Sequence, residues 1–293
     1  METINVTEII LETINTLFSN LFSSIDNSIY PILDDLCFID TTILNTNHLE
    51  ELLGTSAQNG ILLICNSLLI GFILYYSLSS FLSYLTLSAP QHPLRFIFRL
   101  VIFTILMNFS FFFCEQLISL NSLISSSIRN LGEILFHKNI CFAGLVEELN
   151  SIISVGKDTF NLFSIDGLIK GFISFGLFNL IFSYSLRYIL LKVFILLSPF
   201  AIITLILDKS SWFFKSWLRS FLALLLLQNF VSIILLITFS IDYTDDTLSK
   251  LLYIGTIYAL IKANYLIQQL IGGISTNIQN GLQGIKSVFM KGS

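Results

Sequence analysis

Cysteine and histidine are the residues of this chain that could hold a metal ion or undergo redox chemistry. Structural zinc sites need such residues in closely spaced pairs, yet none of the four cysteines lies in a CxxC pair and the three histidines are far apart. No zinc-protease, dinucleotide-binding or nucleophile motif occurs in a suitable context. We therefore expect no metal site, no cofactor, no catalytic residue and no enzymatic activity. A disulfide between Cys37 and Cys141 stays open, beside the alternative that all four cysteines are small hydrophobes.

Polar side chains inside apolar segments are the second set of interest. Lys262 lies near the centre of an apolar segment, where a charge costs about 2.5 kcal/mol or more without water or a partner. Tyr258, Lys262 and Gln269 share one helical stripe, so this face is not expected to meet lipid. Such groups either form interhelical hydrogen bonds, worth roughly 0.6 to 2 kcal/mol each, or line a hydrated path or a subunit interface. Their candidate counterparts in other apolar segments are Asn66, Asn108, Gln228 and Asn229.

The composition indicates the environment that these residues occupy. Of the 293 residues, 54% are hydrophobic and 12% are charged, whereas globular domains have about 25% charged residues. The apolar residues form runs of roughly 20, which match the thickness of a bilayer as helices. The short alternating segments of a β-barrel are absent. We expect an all-α bundle of membrane helices, located in a bacterial cytoplasmic membrane. The abundance of Phe, Ile and Asn with little Arg is typical of AT-rich bacterial coding.

The first 94 residues contain nine acidic residues but no lysine or arginine. A signal peptide begins with basic residues, so we do not expect one here. Apolar residues from Ile10 to Ile29 recur every three or four positions, which predicts an amphipathic helix ending near Pro31. Because this helix is acidic, anionic lipid should not attract it. It either packs on its own bundle or docks a partner outside the membrane.

Charge placement predicts five spans, with the N-terminus outside and the C-terminus in the cytoplasm. The spans are expected near residues 60–87, 96–117, 171–188, 220–241 and 251–271. By the positive-inside rule, the basic turn after the first span and the basic segment before the fourth face the cytoplasm. The residues expected to anchor the chain at the membrane interface are Arg95, Arg99, Arg187, Lys192, Trp212, Lys215, Trp217 and Arg219.

The apolar segment 171–207 is too long for one span. Its 37 residues would extend about 55 Å as one helix, nearly twice what a bilayer needs. We expect the third span to end near Tyr188, with Arg187 and Lys192 extending to the interface. Pro199 lacks an amide donor and predicts a helix break just before it. The surplus segment would then lie in the interface or re-enter the membrane.

The expected organisation follows from these assignments. Residues 1–59 form an extracytoplasmic amphipathic helical region, 60–117 the first two spans, and 118–170 an extracytoplasmic loop with short helices. Residues 171–271 contain spans three to five, with the interfacial segment 192–219, and 272–293 are a cytoplasmic tail.

Three long stretches resemble a known family. The stretches GTSAQNGILLICNSLLIGFILYYSLSSFLS and PLRFIFRLVIFTILMNFSFFFCEQLISLNSLISSSIRNLGE resemble polytopic conjugal-transfer proteins of low-GC Gram-positive conjugative elements. The stretch SLRYILLKVFILLSPFAIITLILDKSSWFFKSWLRSFLALLLLQ resembles the wider TrbL-like family of type IV secretion. The resemblance covers roughly residues 54 to 271 and implies five spans with the N-terminus outside, as the charge placement does.

The resemblance also implies a function. The chain would be a channel or scaffold subunit of a type IV secretion or conjugation machine that moves a DNA–protein complex. It would form a homo-oligomer in the lipid membrane and contact other channel subunits and cytoplasmic ATPases, and the family supplies no catalytic residues. The alternatives are a self-contained secondary transporter, although inverted repeats with paired broken helices are not evident, and a structural or immunity membrane protein.

Overall fold

The computed structural model describes residues 12–18, 20, 24, 32–44, 49–54, 60–86, 93–152, 165–241 and 247–271. These residues are almost entirely helical and include no β-strand, which confirms the all-α class. Residues 32–37 form a short helix, α1, and a 3-10 turn follows at Thr41–Ile43. The remaining helices are α2 (Leu49–Leu53), α3 (Ile61–Leu85), α4 (Pro93–Asn108), α5 (Ser110–Phe136), α6 (Phe142–Ile152), α7 (Ile165–Ile203), α8 (Ser211–Phe239) and α9 (Thr247–Ile271).

Helix α7 is the central element of the bundle. Its 39 residues extend about 58 Å, and it contacts α3, α4, α5, α8 and α9. Gly176 allows close packing on α9, because an added Cβ would lie 2.7 Å from Ile257 Cγ2. The third predicted span is therefore only one part of a longer helix, and residues 192–203 continue it instead of forming a separate interfacial segment.

The predicted break before Pro199 is wrong, because α7 continues through this residue to Ile203. Proline leaves the carbonyl four residues earlier, that of Ile195, without its usual amide donor. The buried Ser198 hydroxyl donates to that carbonyl at 2.7 Å. Ser198 thus supplies the hydrogen bond that Pro199 cannot make, and the helix persists.

We expect Ser198→Ala to destabilise the chain by about 1 kcal/mol, because it leaves the Ile195 carbonyl without this donor. In a Pro199→Ala background the alanine amide can bond to Ile195, so the same serine substitution should cost much less. Unfolding of the four purified chains in detergent micelles, followed by circular dichroism, measures both effects. Equal costs in the two backgrounds would contradict this account of the proline.

The second predicted span is not one continuous helix. Helices α4 and α5 meet at Phe109 with a bend of 59°, and together they have the length and composition of a broken span or a re-entrant loop. Helix α5 then continues to Phe136 and packs against α8. The short helices expected from residue 118 onward are therefore wrong for the first part of that region, which is one long helix.

Three described helices are long and apolar enough to cross a membrane, and the number rises to four if α4 and α5 form one broken span. The three are α3, the segment Gly167–Ile206 that contains most of α7, and α8. The first and fourth predicted spans thus coincide with candidate spans. The fifth prediction, 251–271, falls within α9, which packs on α7 and α8 but does not belong to this set.

The N-terminal region packs into the bundle where it is described. Ile39, Ile43 and Leu44 are buried against side chains of α5, α7 and α8. Asp34 accepts hydrogen bonds from the amides of Phe142, at 2.8 Å, and Ala143, at 3.3 Å, and so caps the start of α6. The predicted amphipathic helix up to Pro31 lies largely outside the described residues.

We expect Asp34→Ala to cost about 1 kcal/mol, because it removes the acceptor for two amides at a helix N-terminus. Asp35→Ala is the matched control, since that neighbouring side chain is exposed and its replacement should change stability by less than about 0.5 kcal/mol.

The pH dependence is a second prediction for Asp34. Burial raises the pKa of Asp34 from 3.8 despite the two amides and Arg129, so the folded chain binds the carboxyl proton more tightly than the unfolded chain does. Its contribution to stability should therefore fall as the pH rises from 3.8 through that raised pKa. Urea unfolding at several pH values tests both statements, and equal losses at positions 34 and 35 would contradict the cap.

Candidate functional site

An arginine lies at the centre of the bundle and is entirely buried. Arg187 stands near the middle of α7, and its side chain has 0% exposure. Its Nε donates to the carbonyl of Leu224 in α8 at 2.7 Å, and its Nη1 donates to the carbonyl of Cys37 at 2.8 Å. Its Nη2 lies 3.3 Å from Gln228 Oε1. One guanidinium therefore joins α7, α8 and the N-terminal region.

The contact with Cys37 has a clear electrostatic reason. Cys37 is the last residue of α1, and the last carbonyls of a helix lack intrahelical donors and carry partial negative charge. The guanidinium caps that end. Two residues further on, the Ile39 amide donates to Gln228 Oε1 at 3.1 Å. The non-helical backbone at 38–40 is thus held by side chains from two different helices.

The charge of Arg187 is stabilised by neutral groups. Among the described residues, its hydrogen-bond acceptors are two backbone carbonyls and an amide oxygen, and no carboxylate bonds to it. Burial of a cation without an anion is costly. An ionisable group retained under such conditions in a membrane bundle is a candidate functional site.

Further buried polar side chains extend from this arginine between α5 and α8. The Asn121 amide donates to the Leu225 carbonyl at 2.9 Å and accepts from Asn229 at 2.8 Å. The hydroxyls of Ser125 and Ser232 lie 2.8 Å apart, and Ser232 also donates to the Gln228 carbonyl at 2.9 Å. We call these buried side chains the polar track; their hydrogen-bonded side-chain pairs are Arg187 with Gln228, Asn121 with Asn229, and Ser125 with Ser232.

Two of the predicted interface anchors are corrected by this arrangement. Arg187 was expected to extend to water, but it is fully buried because it bonds across the bundle. Trp217 is 3% exposed, donates from Nε1 to the Phe194 carbonyl at 2.9 Å and stacks on Phe221. The part of the predicted interfacial segment 192–219 that contains Trp217 is the beginning of α8.

The other predicted anchors have accessible positions. Arg99 forms an ion pair with Asp208 at 2.6 Å, and the Lys192 ammonium lies 4.6 Å from the centre of the Tyr188 ring. Trp212 is 67% exposed. The remaining exposed members are Arg95, Lys215 and Arg219. Their role at a membrane interface stays a prediction.

The predicted intramembrane polar residues do not form one cluster. Gln228 and Asn229 join the polar track, whereas Asn66 and Asn108 are exposed, and Asn108 bonds within its own helix to Thr104. Lys262 is half-buried with its ammonium 5.5 Å from the centre of the Tyr258 ring. The exposed Gln269 donates to the Tyr265 hydroxyl at 2.6 Å. These contacts are local to each helix, so the structure does not bring Lys262 together with the other four.

Sequence reasoning missed three members of the polar track: Ser232 on α8 and the pair Asn121 and Ser125. The members of that pair lie four residues apart on α5, as do Gln228 and Ser232 on α8. This spacing places each pair on one helical face, and it was the available signal. The prediction of a loop from residue 118 onward excluded this helical signal for Asn121 and Ser125.

All four cysteines are free, so the open question of a disulfide between Cys37 and Cys141 is answered in the negative. Cys141 Sγ accepts from the Gly144 amide at 3.2 Å and assists Asp34 in capping α6. Burial raises the pKa of the Cys37 thiol to about 12, more than the nearby Arg187 charge lowers it. Cys37 is therefore protonated and unreactive while it remains buried.

Comparison with known proteins adds no assignment, since no family model, no curated protein and no solved structure matches this chain. The class that the structure establishes is an all-helical protein with three to four candidate membrane-spanning helices.

Proposed function

We propose that the protein is a channel or scaffold subunit of a type IV secretion or conjugation machine in the bacterial cytoplasmic membrane. It belongs, in this proposal, to the TrbL-like proteins that three of its stretches resemble. It helps to move a DNA–protein complex, and ATPases elsewhere in the machine supply the energy. Five spans, an outside N-terminus and a cytoplasmic C-terminus are part of the proposal.

The observation that carries the assembly role is the position of α3. Only 11% of the most apolar 18 residues of this helix are buried, against 50% of those in the segment Gly167–Ile206 and 61% of those in α8. Helix α3 therefore lies at the periphery and leaves most of an apolar surface, with Asn66 on it, for lipid or other subunits. An exposed apolar helix surface around a small buried polar cluster is more typical of a subunit that assembles within the membrane than of an isolated enzyme.

Conjugation from a strain that carries a deletion of this gene tests the proposal. We expect DNA transfer to fall to the level of a strain without the secretion ATPase, and a plasmid copy of the chain to restore it. Membrane fractionation of the complemented strain should place the chain in the cytoplasmic membrane. Unimpaired transfer from the deletion strain would remove the proposed function.

Subunit contacts have a separate test. Asn66→Cys on the exposed face of α3 should form a crosslinked dimer in the membrane if this face meets a second copy, whereas Lys215→Cys, exposed at the start of α8, serves as the control. Monomer alone at both positions, in cells that transfer DNA normally, would contradict contact through α3.

A further inference from the structure

The beginning of α8 carries a basic surface that projects from the bundle. Trp212, Lys215 and Arg219 follow one another at intervals of three and four residues, so they lie on one side of the helix. All three side chains are exposed. We call this set of three residues the basic face of α8.

The packing of α8 fixes which of its sides is turned outward. Trp217 and Phe221 lie on the opposite side and are buried. Trp217 donates from Nε1 to the Phe194 carbonyl of α7 at 2.9 Å and stacks on Phe221. A rotation of α8 that buried Lys215 and Arg219 would break both contacts. The basic face is therefore an outer surface of the folded chain.

The basic face lies where an uncharged part of the chain begins. Residues 220–241 contain no acidic or basic residue, and α8 is a candidate span. Helical side chains lean toward the N-terminus of their helix, which carries both cations away from this apolar part. Lys215 precedes Arg219 by about 6 Å along the axis, and a headgroup layer is about 5–8 Å thick. If α8 crosses a membrane, both cations lie at the level of the lipid headgroups.

The positive charge of this face is not neutralised by the part of the protein that the structure describes. No described carboxylate forms an ion pair with Lys215 or Arg219. Asp208, three residues before α8, is paired with Arg99 of α4 at 2.6 Å. Arg95, exposed one turn before Arg99, adds a further positive charge at the beginning of α4. A ligand that complements this end of the bundle is therefore an anion.

An anionic phospholipid has the chemistry and the position that such a ligand needs. Its phosphate oxygens accept charge-assisted hydrogen bonds from lysine and arginine, and its acyl chains can lie along the uncharged residues that follow Arg219. An exposed tryptophan is typical of the boundary between headgroups and water-facing residues. Each basic residue at a membrane surface gives roughly a fivefold preference for anionic lipid.

We propose that the basic face of α8 binds the headgroup of an anionic phospholipid, with Lys215 and Arg219 on its phosphate and Trp212 beside it. This site goes beyond the proposed function, because it requires α8 to cross a membrane but requires no part in DNA transfer.

Energy transfer from tryptophan to labelled lipid tests the site. Trp217→Phe leaves Trp212 as the single tryptophan of the chain, because the sequence contains two. The full-length variant is placed in phosphatidylcholine vesicles with a trace of pyrene-labelled phosphatidylglycerol or, in a parallel sample, of pyrene-labelled phosphatidylcholine. We expect the local concentration of the anionic probe around Trp212 to exceed that of the neutral probe roughly tenfold or more.

The double substitution Lys215→Gln with Arg219→Gln should reduce this preference to less than about twofold. Both side chains are exposed, so the bundle should keep its helical circular dichroism. Lys138→Gln with Lys250→Gln is the matched control, since it removes two cations that lie beyond the other ends of α5 and α8. This control should keep the preference within about twofold of the parent. Lys215→Arg with Arg219→Lys should also keep it, because both positive charges remain.

Three results would overturn the site. Equal transfer to the two probes in the parent chain would show that the face does not select anionic lipid. Equal losses in the two glutamine pairs would show that the preference follows the net charge of the chain and not this face. Loss of the preference in 20 mM inorganic phosphate at constant ionic strength would assign the cations to a free anion instead of a lipid. None of these measurements involves DNA transfer, so the site and the proposed function can fail separately.

Discussion

Replacing Arg187 with alanine is expected to destabilise the bundle by about 2–4 kcal/mol. Hydrogen bonds from a charged donor are worth about 1.5–3 kcal/mol each, and the substitution removes three of them and leaves a space between α7 and α8. The substitution also removes the cost of burying a charge, which offsets this loss by several kcal/mol. The net loss arises because the Cys37 carbonyl keeps no comparable donor.

Lys192→Ala is the matched control for this prediction. Lys192 is a cation five residues further along α7, half-buried and in contact with the Tyr188 ring, so its removal should cost less than about 1 kcal/mol. Arg187→Lys retains the charge but not the planar set of donors, and we expect an intermediate loss. Urea or SDS titration in micelles, followed by circular dichroism, gives the three values. Equal losses at 187 and 192 would show that Arg187 is not the central polar contact.

Trp217→Ala should cost about 3–5 kcal/mol, which makes it the largest single-residue effect that we expect. The indole fills the space between α7 and α8, stacks on Phe221 with ring centroids 5.4 Å apart and donates to the Phe194 carbonyl. Truncation of a buried aromatic loses both transfer free energy and packing. Trp217→Phe, which removes mainly the hydrogen bond, should cost about 1–2 kcal/mol.

Trp212→Ala provides the comparison within the same helix. That side chain is 67% exposed and contacts the edge of Phe213, so we expect a loss below about 0.5 kcal/mol in micelles. The same unfolding titration measures all three tryptophan variants. If the substitutions at 212 and 217 had equal effects, the two tryptophans would share the interfacial role that the sequence suggested.

The sequence was sufficient for the all-helical class and for the approximate position of most apolar helices. Apolar runs such as 60–87 and 220–241 predict helices directly, because their length matches the thickness of a bilayer. The helix through Pro199 could not be predicted in the same way, because the hydrogen bond from Ser198 to the Ile195 carbonyl requires a side-chain direction that packing sets. The 59° bend at Phe109 lies between two helices that both contact α7, and the sequence-based prediction of one span did not include it.

The candidate site was only partly accessible from the sequence. Gln228 and Asn229 were recognised because amides in an apolar span need partners. Arg187 was noticed but assigned to the interface, since a cation near a predicted span end usually extends to water. Two of its three acceptors are the backbone carbonyls of residues 37 and 224, which lie 150 and 37 positions away in the chain. Backbone acceptors have no residue-type signature, so no pattern of side chains could have revealed them.

The length of α7 has a mechanical consequence. A rod of about 58 Å inclined at the upper tilt of about 40° found for membrane helices still projects about 44 Å along the normal, beyond a core of about 30 Å. If α7 crosses a membrane, at least one of its ends lies in the headgroup region or in water. Arg187 fixes the rod about 33 Å from one end and about 24 Å from the other. Because α7 packs on α3, α4, α5, α8 and α9, a displacement of either end would be opposed by the contacts of five other helices.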